Sequence, residues 1–148
     1  MAAIVASLVV PGISFWSWWQ EKRILRHGRH LTAEELSFAV RLGITDPFRV
    51  RLLAVSRIPL PIPSRLVVWL RRHFSSLVNP AGMTLGHGIF MDAAYAECTE
   101  IIHHELVHVR QHETHHGHLI FMWRYLYECI AIGYEDAPLE REARVRSA

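Results

Sequence analysis

The stretch IIHHELVHVRQHE, residues 101–113, sets four histidines and two glutamates within thirteen residues. His104, Glu105 and His108 form an HExxH motif. A helix turns about 100° per residue, so His108 falls about 40° and Glu105 about 100° round from His104. Two imidazoles on one helix face can grip a single metal ion. The glutamate beside them is placed to act as general base on a metal-held water. Ile102, Leu106 and Val109 fall at roughly 140–200° and form a core-facing stripe next to the ligands. His103 points away, near 260°, and His112 falls near 80°, at the edge of any cleft (both angles approximate). The bland alternative is a solvated histidine face. The apolar residues inside ELVHV argue against it.

A catalytic zinc site takes three protein ligands and keeps one position open. The third ligand must therefore come from downstream, and three glutamates compete. Glu128 lies in HLIFMWRYLYECIAIGY, where a carboxylate is costly unless it is paired or bound. Glu140 and Glu142 lie in APLEREAR, about 200° apart on a helix, so only one can face the metal. Among the neighbours, Tyr134, His118 and His112 are candidate donors to a developing oxyanion. The HETHHGHL cluster at 112–119 reads as an exposed helix end, its histidines near the negative pole of the helix dipole.

These residues need elements to hold them. LTAEEL opens a short helix, with Thr32 and Glu35 spaced as a capping box and Gly43 at its C-terminal stop. DPFRVRLLAV alternates with strand period from Phe48. RIPLPIPS is a loop by its prolines. RLVVWLRRHF fits either a strand or a short helix. MTLGHGIFM reads as one strand, and its two glycines allow another backbone to come close. Residues from Thr99 to about 115 read as the motif helix. A nearly apolar, buried second helix follows it. Pro138 opens a third, at the N1 position proline favours.

The chain has 148 residues, enough for one domain with a real core. Its formal net charge of +2 gives no footing for nucleic acid. Cys98 and Cys129 form neither a CxxC pair nor a disulfide framework and read as buried thiols. Residues 1–28 are set apart from a domain at 29–148. Their uncharged, Trp-rich run up to Trp19 is broken by Pro11-Gly12 and followed by EKRILRHGR. Three readings stand for this segment: packed on the domain, seated on a membrane, or a cleaved signal. If it anchors the chain, the basic residues after it place the domain on the cytoplasmic side. The expected location is cytoplasmic, with membrane association through residues 1–28.

MTLGHGIF at 83–90, HHELVHVRQHE at 103–113 and APLEREAR at 137–144 together resemble the zincin-like metallopeptidases. More narrowly they resemble a small bacterial family with a TLGH…HELVHVRQ…PLEREA pattern. The resemblance runs over residues 30–146. It implies an α+β, zincin-like fold: a small mixed β-sheet packed on the HExxH helix, with two further C-terminal helices. Its ExxA pattern maps onto Glu140 and Ala143 and makes Glu140 the third ligand beside His104 and His108. Arg144 stands where such families often carry aspartate. The implied cofactor is Zn2+, the implied base Glu105, and the implied partner a peptide or protein substrate lying along the 83–91 strand. His87 would then be a surface or cleft-lining residue. The alternative is a non-catalytic zinc module in which the metal staples the motif helix to the C-terminal helix.

Overall fold

The computed structural model describes residues 2–61, 80–115 and 117–148. The element expected over residues 65–74 lies outside them. The chain opens with helix α1 (Ala2–His27), a short strand β1 (Arg29–His30) and helix α2 (Ala33–Leu42). Strands β2 (Arg51–Val55), β3 (Gly82–Leu85) and β4 (Gly88–Asp92) follow. The last three helices are α3 (Thr99–Thr114), α4 (His118–Ala131) and α5 (Pro138–Ser147). The architecture is α+β. The four strands form a mixed sheet in the order β1-β2-β4-β3, with β2 and β4 parallel and the outer pairs antiparallel.

β4 is central and covered on both faces, so it reads as an unbroken apolar run, Ile89-Phe90-Met91, each 0% exposed. Ile89 and Met91 join Leu52 against Ile102, Leu106 and Val109 of α3, Ala39 and Leu42 of α2 and Ala143 of α5. Phe90 faces the other way, into a cluster with Ile24 of α1, Ile58 and Leu85. The sheet is thus a layer between α1 and the motif helix. Of the readings for residues 1–28, the packed one describes the inward side of α1. No helix among the described residues is long and apolar enough to cross a membrane.

Local chemistry sets the ends of α2 as expected. Thr32 and Glu35 make a reciprocal capping box, and Gly43 stops the helix at φ +78°. Three expectations need correction. The strand after Asp46 begins only at Arg51, because Pro47–Arg49 is a 3-10 turn that leaves Phe48 exposed. The single strand expected over 83–91 is a hairpin, with Leu85 paired to Gly88 across a two-residue Gly86-His87 turn. Gly86 takes φ +67°, the conformation such turns need at their first position. And α4 is far from buried: of its residues only Phe121 and Glu128 are fully covered, while Leu119, Ile120, Tyr127 and Ile130 are exposed.

The hairpin turn is tied down from both sides. The His87 backbone N–H donates to Glu21 Oε1 of α1 at 2.9 Å, and its ring Nε2 lies 2.9 Å from Glu113 Oε1 of α3. Glu113 in turn accepts the Thr45 backbone N–H at 2.7 Å. His87 is therefore a bridge between two helices, contrary to the surface or cleft position expected for it. Burial works against charge on Glu21, but the ring and backbone N–H of His87, with Arg49 adding, win and bring its carboxyl down from 4.5 to about 2. A depressed acid stabilises the fold above its unfolded pKa and loses that contribution as pH falls. Wild type should therefore lose stability between pH 4.5 and about 2 through Glu21. Glu21→Gln should flatten that part of the melting temperature–pH curve, and an unchanged slope would contradict the assignment.

Candidate metal centre

The motif helix presents His104 and His108 one turn apart, and α5 brings Glu140 to meet them. His104 Nε2 and His108 Nε2 lie 3.1 Å apart. Glu140 Oε2 is 3.3 Å from His104 Nε2, and its Oε1 is 3.3 Å from His108 Nε2. These three residues form a group that can hold a metal ion. Glu140 is 1% exposed, and its Oε2 is buried with no hydrogen-bond partner. A buried acceptor left open beside two imidazole nitrogens is a position a cation would satisfy.

The other two competing glutamates do different work. Glu128 Oε2 accepts the Leu139 backbone N–H at 3.0 Å, and its Oε1 accepts from Arg124 Nε at 2.8 Å. It therefore caps the first turn of α5, where backbone donors lack intrahelical partners. Its burial in α4 is explained by pairing. Glu142 takes a hydrogen bond from Gln111 Nε2 at 2.9 Å and one from Arg146 at 3.1 Å. Arg144, in place of the aspartate of the resembled pattern, turns to Glu135, donating to its backbone carbonyl.

Gln111 has a role that sequence reasoning missed. Its Oε1 lies 2.8 Å from His108 Nδ1, while its Nε2 donates to the Leu139 carbonyl at 2.9 Å. Both amide hydrogens are used on acceptors, so Oε1 must accept from His108 Nδ1–H. That sets the tautomer and leaves the Nε2 lone pair for the centre. The spacing offered a signal: Gln111 is three residues beyond His108, on the same helix face. Tyr125 of α4 was also missed. Its hydroxyl donates to Glu140 Oε1 at 2.7 Å and orients the carboxylate. Nothing in the spacing pointed to it, because the contact exists only after α4 folds back.

Electrostatics keep the group charged. Burial works against an ionised Glu140, but the imidazoles of His104 and His108, each 3.3 Å away, hold its carboxyl well below the usual range. Burial likewise opposes a protonated His108, and Glu140 carries it above the ordinary value. Metal binding would release that proton.

Glu105 stands beside the group without joining it. Its Oε2 accepts from Thr84 Oγ1 of β3 at 2.6 Å. At Gly82 the strand backbone comes so close that a Cβ there would sit 2.7 Å from the Glu105 carboxylate oxygen. A cavity of about 160 Å³ opens here, lined by Glu105, His108, Glu140, Tyr125 and Tyr134 among others. Tyr134 is thus at the cleft, as one of the expected candidates. His112 and His118 are elsewhere. They pair at 3.1 Å, and His118 reaches Ser17 of α1 at 2.7 Å. Burial, with His118 adding, pushes His112 down to about 4. So this part of the 112–119 cluster is packed on α1, contrary to the exposed helix end expected. His103 points away from the centre and stacks on Phe38 at 3.6 Å.

No family model, curated protein or solved structure matches the chain.

The cap on α5 can be tested by itself. Glu128→Ala leaves the Leu139 N–H without its acceptor and should cost about 1–3 kcal/mol in urea unfolding. A loss below about 0.5 kcal/mol, within the range of an ordinary surface substitution, would contradict the capping role.

Proposed function

We propose that this chain is a zinc-dependent peptidase of zincin-like design. The observation that carries the reading is the triangle of ligand atoms at 3.1–3.3 Å with Glu105 and a cleft beside it. Zinc bonds to imidazole nitrogen and carboxylate oxygen of about 2.0–2.1 Å imply tetrahedral ligand–ligand edges of roughly 3.3–3.4 Å. His104, His108 and Glu140 already stand at that spacing. Two histidines and one carboxylate also leave one tetrahedral position for chemistry. They would hold the ion, and Gln111 and Tyr125 would orient two of them.

Bound zinc supplies a water that is acidic near neutral pH and a Lewis acid for a carbonyl oxygen. Glu105 takes the proton of the attacking water at its carboxylate and returns it to the leaving amine. The Thr84 hydroxyl holds Glu105 Oε2, and Oε1 lies against Gly82 at the wall of the cleft. Burial raises the Tyr134 hydroxyl pKa, so it keeps its proton and can donate a hydrogen bond in the cleft. β3 is an edge strand of the sheet and borders the cleft. An extended peptide can add there as a further strand, held by main-chain hydrogen bonds.

The second reading is a metal that only staples α3 to α5. It is favoured by the ligands' origin on those two helices. Metal content and turnover separate the two. His104→Ala and Glu140→Ala should lose the bound zinc measured by mass spectrometry, while Glu142→Ala keeps it. Glu105→Gln should keep zinc and lose about 10²–10⁴ in turnover on a fluorogenic peptide library. Full turnover in Glu105→Gln would refute the base. A zinc-loaded wild type that cleaves no peptide would leave the staple. Gly82→Ala provides an independent check: it should retain zinc, displace Glu105 and lower turnover. Unchanged turnover there would contradict the close approach of β3 to the base.

A further inference from the structure

α1 has a second face that the site does not use. Val10, Ser17, Glu21 and Ile24 are buried. With Ile24 at zero, Phe15, Trp18, Trp19, Lys22 and Arg26 fall at roughly 120–220°, opposite the buried stripe. Phe15 is 70% exposed, Trp18 48% and Trp19 57%. Phe15 and Trp18 stack at 6.1 Å, and Lys22 Nζ lies 5.6 Å over the Trp18 ring. Trp19, Lys22, Arg23, Arg26 and His27 ring a shallow surface hollow.

The cations of this face lack acidic partners. Among the described residues, no carboxylate pairs with Lys22, Arg23 or Arg26. No Asp or Glu precedes Glu21, and Glu21 itself is turned inward onto His87. Three large aromatic side chains open to solvent form a patch of the kind that marks an interaction site. The combination is that of a bilayer interface. Tryptophan settles at headgroup depth, and lysine and arginine are drawn to anionic lipid. A two-fold pairing of this face with itself would bring these cations no carboxylate.

We infer that the outward face of α1 docks on an anionic lipid surface. Phe15, Trp18 and Trp19 enter the headgroup–acyl boundary, and Lys22, Arg23 and Arg26 meet lipid phosphates. The helix lies in the plane of the interface. Because Ile13 and Trp16 of the same helix line the cleft, docking sets the cleft beside the lipid.

The test is co-sedimentation of the full chain with phosphatidylcholine vesicles, with and without phosphatidylglycerol. Wild type should bind the anionic vesicles, bind less as salt rises, and leave pure phosphatidylcholine largely unbound. Lys22→Ala with Arg26→Ala should weaken binding roughly thirtyfold. Trp18→Ser with Trp19→Ser should weaken it as well and remove any blue shift of tryptophan fluorescence on binding. These side chains are exposed, so far-UV circular dichroism should match wild type in each variant. Absence of binding to anionic vesicles overturns the inference. So does binding that survives both double substitutions, and so does a concentration-dependent dimer that the tryptophan substitutions abolish in place of lipid binding.

Discussion

An ionised carboxylate buried between two imidazoles is the constraint on which the site depends. Glu140 is almost wholly removed from solvent, and an isolated charge there would be strongly unfavourable. His104, His108 and Tyr125 offset that cost together, each from a different position on two other helices. The arrangement works only if α5 arrives at one height and one rotation against α3. Glu128 fixes the first turn of α5 through the Leu139 N–H, and Gln111 fixes the same residue through its carbonyl. One backbone residue, Leu139, is thereby held from both sides, and Glu140 is the next in the chain. The same glutamine sets the tautomer of His108. Position and chemistry are coupled through a single side chain.

The sheet supplies the second requirement, a Glu105 carboxylate held apart from the group of His104, His108 and Glu140. β4 is central and packs its apolar residues to both faces, which places β3 at the edge over α3. Thr84 and the missing side chain at Gly82 then define where the Glu105 carboxylate can lie. A separate polar network holds the far side of the structure. Glu21, His87 and Glu113 join α1, the hairpin turn and the end of α3, while Ser17, His118 and His112 join α1 to α4 and α3. Of the eleven histidines, His104 and His108 thus belong to the candidate centre, while His87, His112 and His118 help to fasten α1.

What was legible in the sequence follows from locality. HExxH, the α2 capping box, Gly43 and Pro138 act within one or two helical turns, and their spacing is their geometry. The α3 stripe of Ile102, Leu106 and Val109 was readable for the same reason. The choice among Glu128, Glu140 and Glu142 was not readable from helix angles, since it depends on how α4 and α5 fold back. Tyr125 was hidden by the same non-local contact. The β3–β4 hairpin was missed because Gly-His is a weaker turn signal than Asn-Gly, and the flanking residues are apolar on both sides of it. The exposure of α4 is not legible because an apolar composition all round does not say which side meets a partner. Leu119, Ile120, Tyr127 and Ile130 stay exposed among the described residues.

The proposed chemistry requires that His104, His108 and Glu140 hold one metal with an open position. X-ray absorption at the zinc edge, on protein purified with one equivalent of zinc, tests it most directly. Only nitrogen and oxygen neighbours are expected, at about 2.0–2.1 Å, with two imidazoles among about four ligands. Sulfur at about 2.3 Å, or a shell of three or more imidazoles, would contradict it. So would protein that is folded but holds no zinc.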